Sequence, residues 1–313
     1  MDGLFMISIL LATYNGARFL EKQLDSLFQQ TVQDFVVYAS DDGSRDGTIA
    51  ILEDYTRRFP QRIFISQNRP QSGGTKHNFY QMMTRHKNDY VMLCDQDDVW
   101  KPDKIEHTLN EMKTMEARYG LDTPILVHTD LCVTDEHLQI ISPSFKAAMN
   151  ADYKKTALHQ QVIQNTLTGC TAMYNRALAD LLTEEPSYMV MHDWFLMLVA
   201  SAFGRISSLE EPTILYRQHK GNVVGAKDVR TLKYKLHKLL GYRGVKRALT
   251  ETYRQAESFL SLYRDSLSVE HRQLLLEYCA IPSKSKFGKW CALYRLKTMK
   301  NGFSRKVAHF MFV

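Results

Sequence analysis

The sequence predicts an α/β fold, a mainly parallel sheet flanked by helices, on three observations. Short apolar runs alternate with amphipathic helical stripes from residue 7 to about 120, and each run ends in a polar turn. The chain is also long enough, at 313 residues with 44% hydrophobic content, for one large core or one core with a small appendage.

Ile7 to Tyr14 is an apolar run ending in TYNG, a strand and its turn. In the following ARFLEKQLDSLFQQT, Leu20, Leu24, Leu27 and Phe28 fall on one helical face. FVVYAS is the second strand; it ends in DDGSRDG, after which Ile49, Leu52 and Tyr55 give a second helical stripe. RIFIS closes on QNRP and leads through a glycine-containing loop to the helix-like KHNFYQMMTRH. YVMLCDQDD is the fourth run, and KPDKIEHTLNEMKTMEARYG reads as a helix with proline in its first turn and glycine at its end. In such sheets ligands sit outside the carboxyl ends of the strands, which here carry TYN, SDDGS, QNRP and CDQDD.

Between about 121 and 220 the pattern is less regular. ILVHTDLCVTD reads as a strand, NTLTGCTAMYNRAL as a turn leading into a helix, MHDWFLMLVASAFG as a buried helix, and ISSLEEPTILYRQHKGN as extended chain around a turn. After 227 helical segments alternate with basic turns. The formal net charge of +6 is concentrated there: Lys227 to Thr250 holds eight Lys or Arg against one acid, and Lys284 to Lys306 eight against none. Such stretches attract phosphates, in nucleotides, anionic lipids or nucleic acid, or form an ordinary solvated helix face.

Five cysteines, Cys94, Cys132, Cys170, Cys279 and Cys291, are widely spaced with no CxxC pair, which argues for a reducing compartment and against a disulfide framework or zinc knuckle. The start has no basic n-region, and YMVMHDWFLMLVASAF is interrupted by His192 and Asp193 and shorter than a bilayer span. Neither a signal peptide nor a membrane crossing is expected.

Three aspartates in four residues, Asp95, Asp97 and Asp98, end the fourth run. Carboxylates this close repel one another unless solvent, basic groups or a cation relieves them. Extended backbone alternates with period two, so Asp95 and Asp97 share a face if the strand persists, and Mg²⁺ or Mn²⁺ linked to a phosphate suits such ligands. A helix N-cap accounts for Asp98. Asp41 and Asp42 end the second strand, where a carboxylate can accept from a base N–H or ribose hydroxyls, or simply cap a turn. Asp193, in an apolar stretch, needs a partner or a cavity, as burying a carboxylate costs several kcal/mol, about the desolvation of one ion. Facing an active site it suits proton abstraction from a hydroxyl; otherwise it pairs with His192 or an arginine. His219, flanked by Arg217 and Lys220, is either a further metal ligand or a loop residue without chemistry.

Taken in order, LLATYNG at 10–16, SDDGSRDGT at 40–48, LCDQDDVW at 93–100, TGC at 168–170 and HDW at 192–194 resemble glycosyltransferase family 2, inverting transferases with a GT-A nucleotide-diphospho-sugar fold. The resemblance covers residues 5 to about 225. DQDDVW, with VHTD at 127–130 and LYRQHKGNVVG at 215–225, looks most like the bacterial rhamnosyltransferase-like members that build surface polysaccharides. It implies a GT-A domain over 1–225, its nucleotide-binding half to about 120 and its acceptor-side half from about 121; the basic helical region over 226–313 lies beyond the resemblance and meets a membrane surface or packs on a second subunit. In KYKLHKLLGYRGVKRAL, Tyr234, Leu236, Leu239 and Leu240 alternate with lysines as in an interfacial helix.

The resemblance further implies that Thr13 and Asn15 line the nucleotide pocket, that Asp42 or Asp41 meets the base, and that Asp95 lies near ribose and sugar. Asp97 would bind the metal, with His219 as a further ligand; Arg217 would close on the diphosphate, and Asp193 would be the general base. His192 stands where the family more often has Glu. The implied reaction is metal-dependent transfer with inversion, of L-rhamnose from dTDP-rhamnose to a hydroxyl of a lipid-linked saccharide, by a cytoplasmic protein peripheral to the inner face of the membrane. UDP-glucose, UDP-galactose or UDP-GlcNAc is the alternative donor, and a homo-oligomer is open. A nucleic-acid-binding protein is a rival that the aspartate-rich strand ends oppose, and an inactive scaffold is one that metal-dependent nucleotide binding and turnover would exclude.

Overall fold

The computed structural model describes residues 6–219 and 242–313. They condense into two compact units: residues 6–145, 167–185 and 204–219 form the first, and residues 146–166, 186–203 and 242–313 the second. Segments 146–166 and 186–203 thus belong with the C-terminal helices.

The first unit alternates strand and helix: β1 (Ile7–Thr13), α1 (Ala17–Phe28), β2 (Phe35–Asp41), α2 (Thr48–Arg58), β3 (Ile63–Gln67), α3 (Thr75–Arg85) and β4 (Tyr90–Asp95). These four strands pair in parallel in the order β3-β2-β1-β4. β1 is buried along its whole length and β4 as far as Cys94, the pattern of strands covered on both faces, which is why they read as unbroken apolar runs. The stripe Leu20, Leu24 and Leu27 seals α1 onto this core.

The chain then forms β5 (Val99–Trp100), α4 (Lys104–Tyr119), β6 (Ile125–Thr134), β7 (Ile140–Ser142) and α5 (Phe145–Met149), which enters the second unit. α6 (Leu158–Gln161) follows in that unit; β8 (Ala172–Asn175) and α7 (Arg176–Asp180) return to the first. α8 (His192–Phe203) lies in the second unit, and β9 (Arg205–Arg217) completes the sheet, β3-β2-β1-β4-β8-β6-β9-β5 with β7 on β6. Gly120 stops α4 at φ 92°, where a Cβ would be strained. The remaining helices, α9 (Tyr242–Tyr263), α10 (Val269–Cys279), α11 (Lys286–Leu296) and α12 (Phe303–Phe312), build the second unit around α8, whose Phe195 packs edge-on to Phe259 of α9 at 5.6 Å.

Three expectations change. The segment NTLTGCTAMYNRAL contains β8, which lies antiparallel between β4 and β6, as well as the turn and short helix. The sequence around Pro212 is one 13-residue strand, β9; the proline, which cannot donate to the ladder, lies opposite Asp130, where the register with β6 shifts. Asp98 is no helix cap. β5, paired to β9 through Val99 and Trp100, intervenes before α4, whose N-cap position is Asp103. The amphipathic positions Tyr234, Leu236, Leu239 and Leu240 lie outside the described residues.

Candidate active site

The register sets the site. Thr13 of β1 is level with Asp41 of β2, and Ala12 of β1 with Asp95 of β4, so three neighbouring parallel strands end together and their polar termini share one edge. β4 stops at Asp95 and a turn follows, so Asp95 and Asp97 do not share a strand face as the period-two argument expected.

The loops beyond this edge are cross-braced. The Tyr14 amide donates to Gln96 Oε1 at 2.8 Å, and Gln96 Nε2 returns a bond to the Tyr14 carbonyl at 3.0 Å, fastening the turn after β1 to the aspartate turn after β4. Asn15 adopts a left-handed conformation, φ 46°, which Asn tolerates better than most residues. Its amide donates to Ser44 Oγ at 2.8 Å and its Oδ1 accepts from the Arg45 amide at 2.9 Å.

Asp41 and Asp42 differ sharply in how their oxygens are spent. Asp41 Oδ1 accepts from the Gly43 and Ser44 amides at 3.0 and 2.8 Å, and Oδ2 accepts from the Thr13 and Ser44 hydroxyls. Asp42 uses only Oδ1, which takes the Ser72 amide and Asn68 Nδ2; Oδ2 has no partner among the described residues. Asn68 and Ser72, in the loop after β3, are members of the site that sequence reasoning missed, their only signal being QNRP at that strand end.

Asp97 and His219 meet across 122 positions of sequence: Oδ2 and Nε2 lie 2.8 Å apart, both groups being largely buried. His219 packs on Phe19, ring centroids 4.7 Å apart, and the Arg217 guanidinium covers the same ring at 4.6 Å. Arg217 is itself buried. Its backbone amide donates to Asp98 Oδ1 at 3.1 Å, its Nε to the Asp97 carbonyl at 2.8 Å and its Nη1 to the Glu136 carbonyl at 2.7 Å. Its visible work is to clamp the aspartate turn to the end of β9.

Asp98 points inward and is fully buried, with Oδ2 lacking a hydrogen-bond partner among the described residues. Burial, then the charges of Asp97 and Asp95, hold its carboxyl well above the usual range against the opposing Arg217 amide. Burial likewise raises the thiols of Cys94 and Cys170. Lys104, also fully buried, lies 4.6 Å over the Trp100 ring and is pushed down to about 8 by burial, with Cys170, Cys94 and Asp98 opposing. Asp95, Asp98 and Cys170 bring one potential ligand atom each to within 4.8 Å of one another.

The donor chemistry fits a divalent cation. Asp97 Oδ2 and His219 Nε2, hydrogen-bonded at 2.8 Å, are an oxygen and a nitrogen donor that would hold a divalent ion between them once that shared proton is lost. Asp97 Oδ1 has no partner among the described residues. Asp98 and Cys170 are poorer ligands, because both hold their protons more firmly than usual.

Asp193 stands in the second unit, half-buried in the first turn of α8. Its Oδ1 accepts from the Trp194 amide at 2.6 Å, and Trp194 Nε1 donates to the Gln161 carbonyl at 2.7 Å, which fixes the start of the helix. Burial pushes its neighbour His192 down to about 3, so that ring is neutral at ordinary pH and offers Asp193 no ion pair.

The glycosyl transferase family 2 model matches residues 8–182. A dTDP-rhamnosyl transferase of Shigella flexneri, RfbG, is 28% identical over 239 residues, 72% of this chain and 77% of that protein. The crystal structure of S. aureus TarS 1–349 in complex with UDP-GlcNAc is similar with a TM-score of 0.55 at 17% identity, covering 98% of this chain and 90% of that one. The mannosyltransferase PcManGT of Pyrobaculum calidifontis, in complex with GDP-Man and Mn²⁺, gives a TM-score of 0.51 at 16% identity, over 93% of this chain and 85% of the other.

Proposed function

The chain belongs to glycosyl transferase family 2 and is a glycosyltransferase of the GT-A fold, and from that premise we propose that it transfers L-rhamnose from dTDP-rhamnose to a hydroxyl of a lipid-linked saccharide, inverting the anomeric carbon, in surface polysaccharide synthesis. The similarity to RfbG supports the donor. The observation that carries the chemistry is the Asp97–His219 pair at the carboxyl end of the parallel strands, where Asp42 also keeps an uncommitted oxygen.

In this reading Asp42 Oδ2 accepts the N–H of the pyrimidine base, while Asp41 holds the turn and Thr13 that frame it. Asn15 lines the nucleotide pocket, and Asp95 orients ribose and sugar. Asp97 and His219 hold Mg²⁺ or Mn²⁺. The bound ion would supply positive charge against the diphosphate leaving group. Arg217 serves the diphosphate indirectly, by fixing the Asp97 carbonyl and the strand end that carries His219. Asp193 takes the proton from the acceptor hydroxyl as it attacks opposite the leaving diphosphate, so a single displacement inverts the centre and the enzyme forms no covalent intermediate.

UDP-glucose, UDP-galactose or UDP-GlcNAc is the second donor class, favoured by the UDP-GlcNAc complex of the structurally similar TarS and by the hydrogen-bonding edge that uracil shares with thymine. None of the described helices is long and apolar enough to cross a membrane. The proposed site of action is the inner face of the cell membrane, reached as a peripheral protein through the basic C-terminal region.

Calorimetric titration of dTDP and UDP with Mn²⁺, with Mg²⁺ and with EDTA tests the reading, alongside Asp97→Ala. Tight binding that needs the cation and fails in the variant supports it and ranks the two bases. Folded protein that binds neither nucleotide under any of these conditions overturns it.

A further inference from the structure

The C-terminal helices carry a surface that the transfer chemistry does not use. On α11, Phe287, Trp290, Cys291 and Tyr294 follow the i, i+3, i+4, i+7 spacing of one helical stripe, while Ala292 and Leu293 on the other side are buried. On α12, Phe303, Phe310 and Met311 are exposed while Ala308 and His309 face inward. Phe287, Tyr294 and Phe303 are 72%, 82% and 85% exposed, far beyond what a lone surface hydrophobe shows when it lies flat on its neighbours.

The two stripes are one face. Trp290 stacks on Phe310 with centroids 4.6 Å apart and planes 11° from parallel, and its Nε1 donates to the Phe310 carbonyl at 2.9 Å. Lys286 Nζ donates to the carbonyls of Met311 and Val313 at 2.6 and 3.1 Å, which ties the start of α11 to the end of α12. An aromatic platform held this rigidly loses little side-chain entropy when it is covered.

Charge decides what covers it. The segment from Lys284 to Lys306 has eight Lys or Arg and no acid, and Lys286, Lys297 and Lys306 are exposed around the aromatic stripe. In a symmetric pairing of two copies through this face, like charge would meet like charge with no acid of the segment to offset it. An anionic lipid surface complements both features at once: aromatic rings settle at headgroup depth while the surrounding cations meet the lipid charge. We propose that the α11–α12 face docks on an anionic bilayer, with Phe287, Tyr294 and Phe303 inserted among the headgroups and Lys297 and Lys306 on the lipid phosphates. Its use in the cell rests on the membrane-borne acceptor proposed above, whereas the docking itself needs only this helical pair.

The test is co-sedimentation of the full chain with phosphatidylcholine vesicles, with and without phosphatidylglycerol, beside dTDP binding. The wild type binds the anionic vesicles, and high salt weakens the binding. Phe287→Ser/Tyr294→Ser/Phe303→Ser and Lys297→Gln/Lys306→Gln each weaken it by at least roughly tenfold, with dTDP affinity unchanged. A wild type that binds dTDP and Mn²⁺ but no anionic vesicle overturns the docking and leaves the transferase standing. Vesicle binding without any nucleotide binding does the reverse. A dimer in sedimentation velocity that the aromatic variant dissolves also overturns the proposal, because the face then belongs to a second copy.

Discussion

Acidification from about pH 7.5 to about pH 5 will weaken the second unit through two histidines that folding keeps neutral. His192 and His309 are 4% and 1% exposed, and burial pushes each down to about 3, with the nearby Lys300 adding to the effect at His309. In the unfolded chain each returns to about 6.5. Between those values the unfolded chain binds a proton that the folded chain refuses, so this contribution is complete above about 6.5 and is lost as pH falls toward 3. At ~1.36 kcal/mol per pH unit and proton, descending to about pH 5 costs about 2 kcal/mol for each histidine and about 4 for the pair. That is a large share of a typical stability of about 5–15 kcal/mol. In the first unit His128, pushed down to about 4, has the same sign, but Asp98 with its raised carboxyl has the opposite one and strengthens as pH falls. His309 is therefore the residue to change. Neither of its ring nitrogens has a hydrogen-bond partner among the described residues, so His309→Leu orphans none of them and should keep neutral-pH stability within about 1 kcal/mol or raise it. Urea unfolding at both pH values, for wild type and variant, gives the answer. The variant should lose about 2 kcal/mol less on acidification. Equal losses in the two proteins would refute the claim that His309 is held neutral.

Three further outcomes follow from particular contacts. Asp193→Asn should lower sugar transfer at least about a hundredfold while leaving dTDP affinity unchanged; a fall in affinity instead would move Asp193 out of the base role, and steady-state rates beside calorimetry separate the two. Asp41→Ala removes the acceptor for Thr13, Gly43 and Ser44 and should cost about 2 kcal/mol of stability or more, whereas Asp42→Ala should act chiefly on nucleotide affinity; thermal melts and dTDP titrations of both variants check the contrast. Gly204→Ala would put a Cβ 2.1 Å from the Pro124 carbonyl oxygen and 2.9 Å from its carbon, backbone atoms that cannot swing aside, so a loss of about 1–3 kcal/mol is expected in urea unfolding.

What the sequence shows of this molecule depends on the range of the interaction that fixes each part. β1 and all but the end of β4 are buried on both faces, and in β2 only Val36 and Tyr38 are half-buried, so their unbroken apolar runs betray them, and the polar residues at their ends are legible for the same reason. β8 is only four residues long, and its state comes from being inserted antiparallel between β4 and β6, a fact with no local signature. The inward turn of Asp98 depends on an amide 119 positions away, and local spacing alone therefore favoured the helix cap. The Asp97–His219 pairing is equally remote. It required β5 to pair with β9, which a two-residue strand cannot announce.

Hydrogen-bond accounting also separates acids that the sequence presents as equals. Asp41 and Asp46 lie in the same turn as Asp42, yet Asp41 is spent on Thr13, Gly43 and Ser44, and Asp46 on Thr48 and Ala17. Burial works against the charge on Asp46, but those bonds outweigh it and hold its carboxyl below the ordinary range, the signature of a structural brace. Asp98 is withdrawn into the core, where burial and the neighbouring Asp97 and Asp95 hold its carboxyl well above the usual range. Among these acids, Asp42 and Asp97 each retain an oxygen without a partner among the described residues, at the strand edge where a nucleotide would lie. A ligand can recruit those oxygens without first breaking the fold, whereas recruiting Asp41 would unfasten Thr13 and the turn together. The density of aspartates therefore overstates the binding machinery: most of these carboxylates build the rim, and the few with spare acceptors are those that chemistry can use.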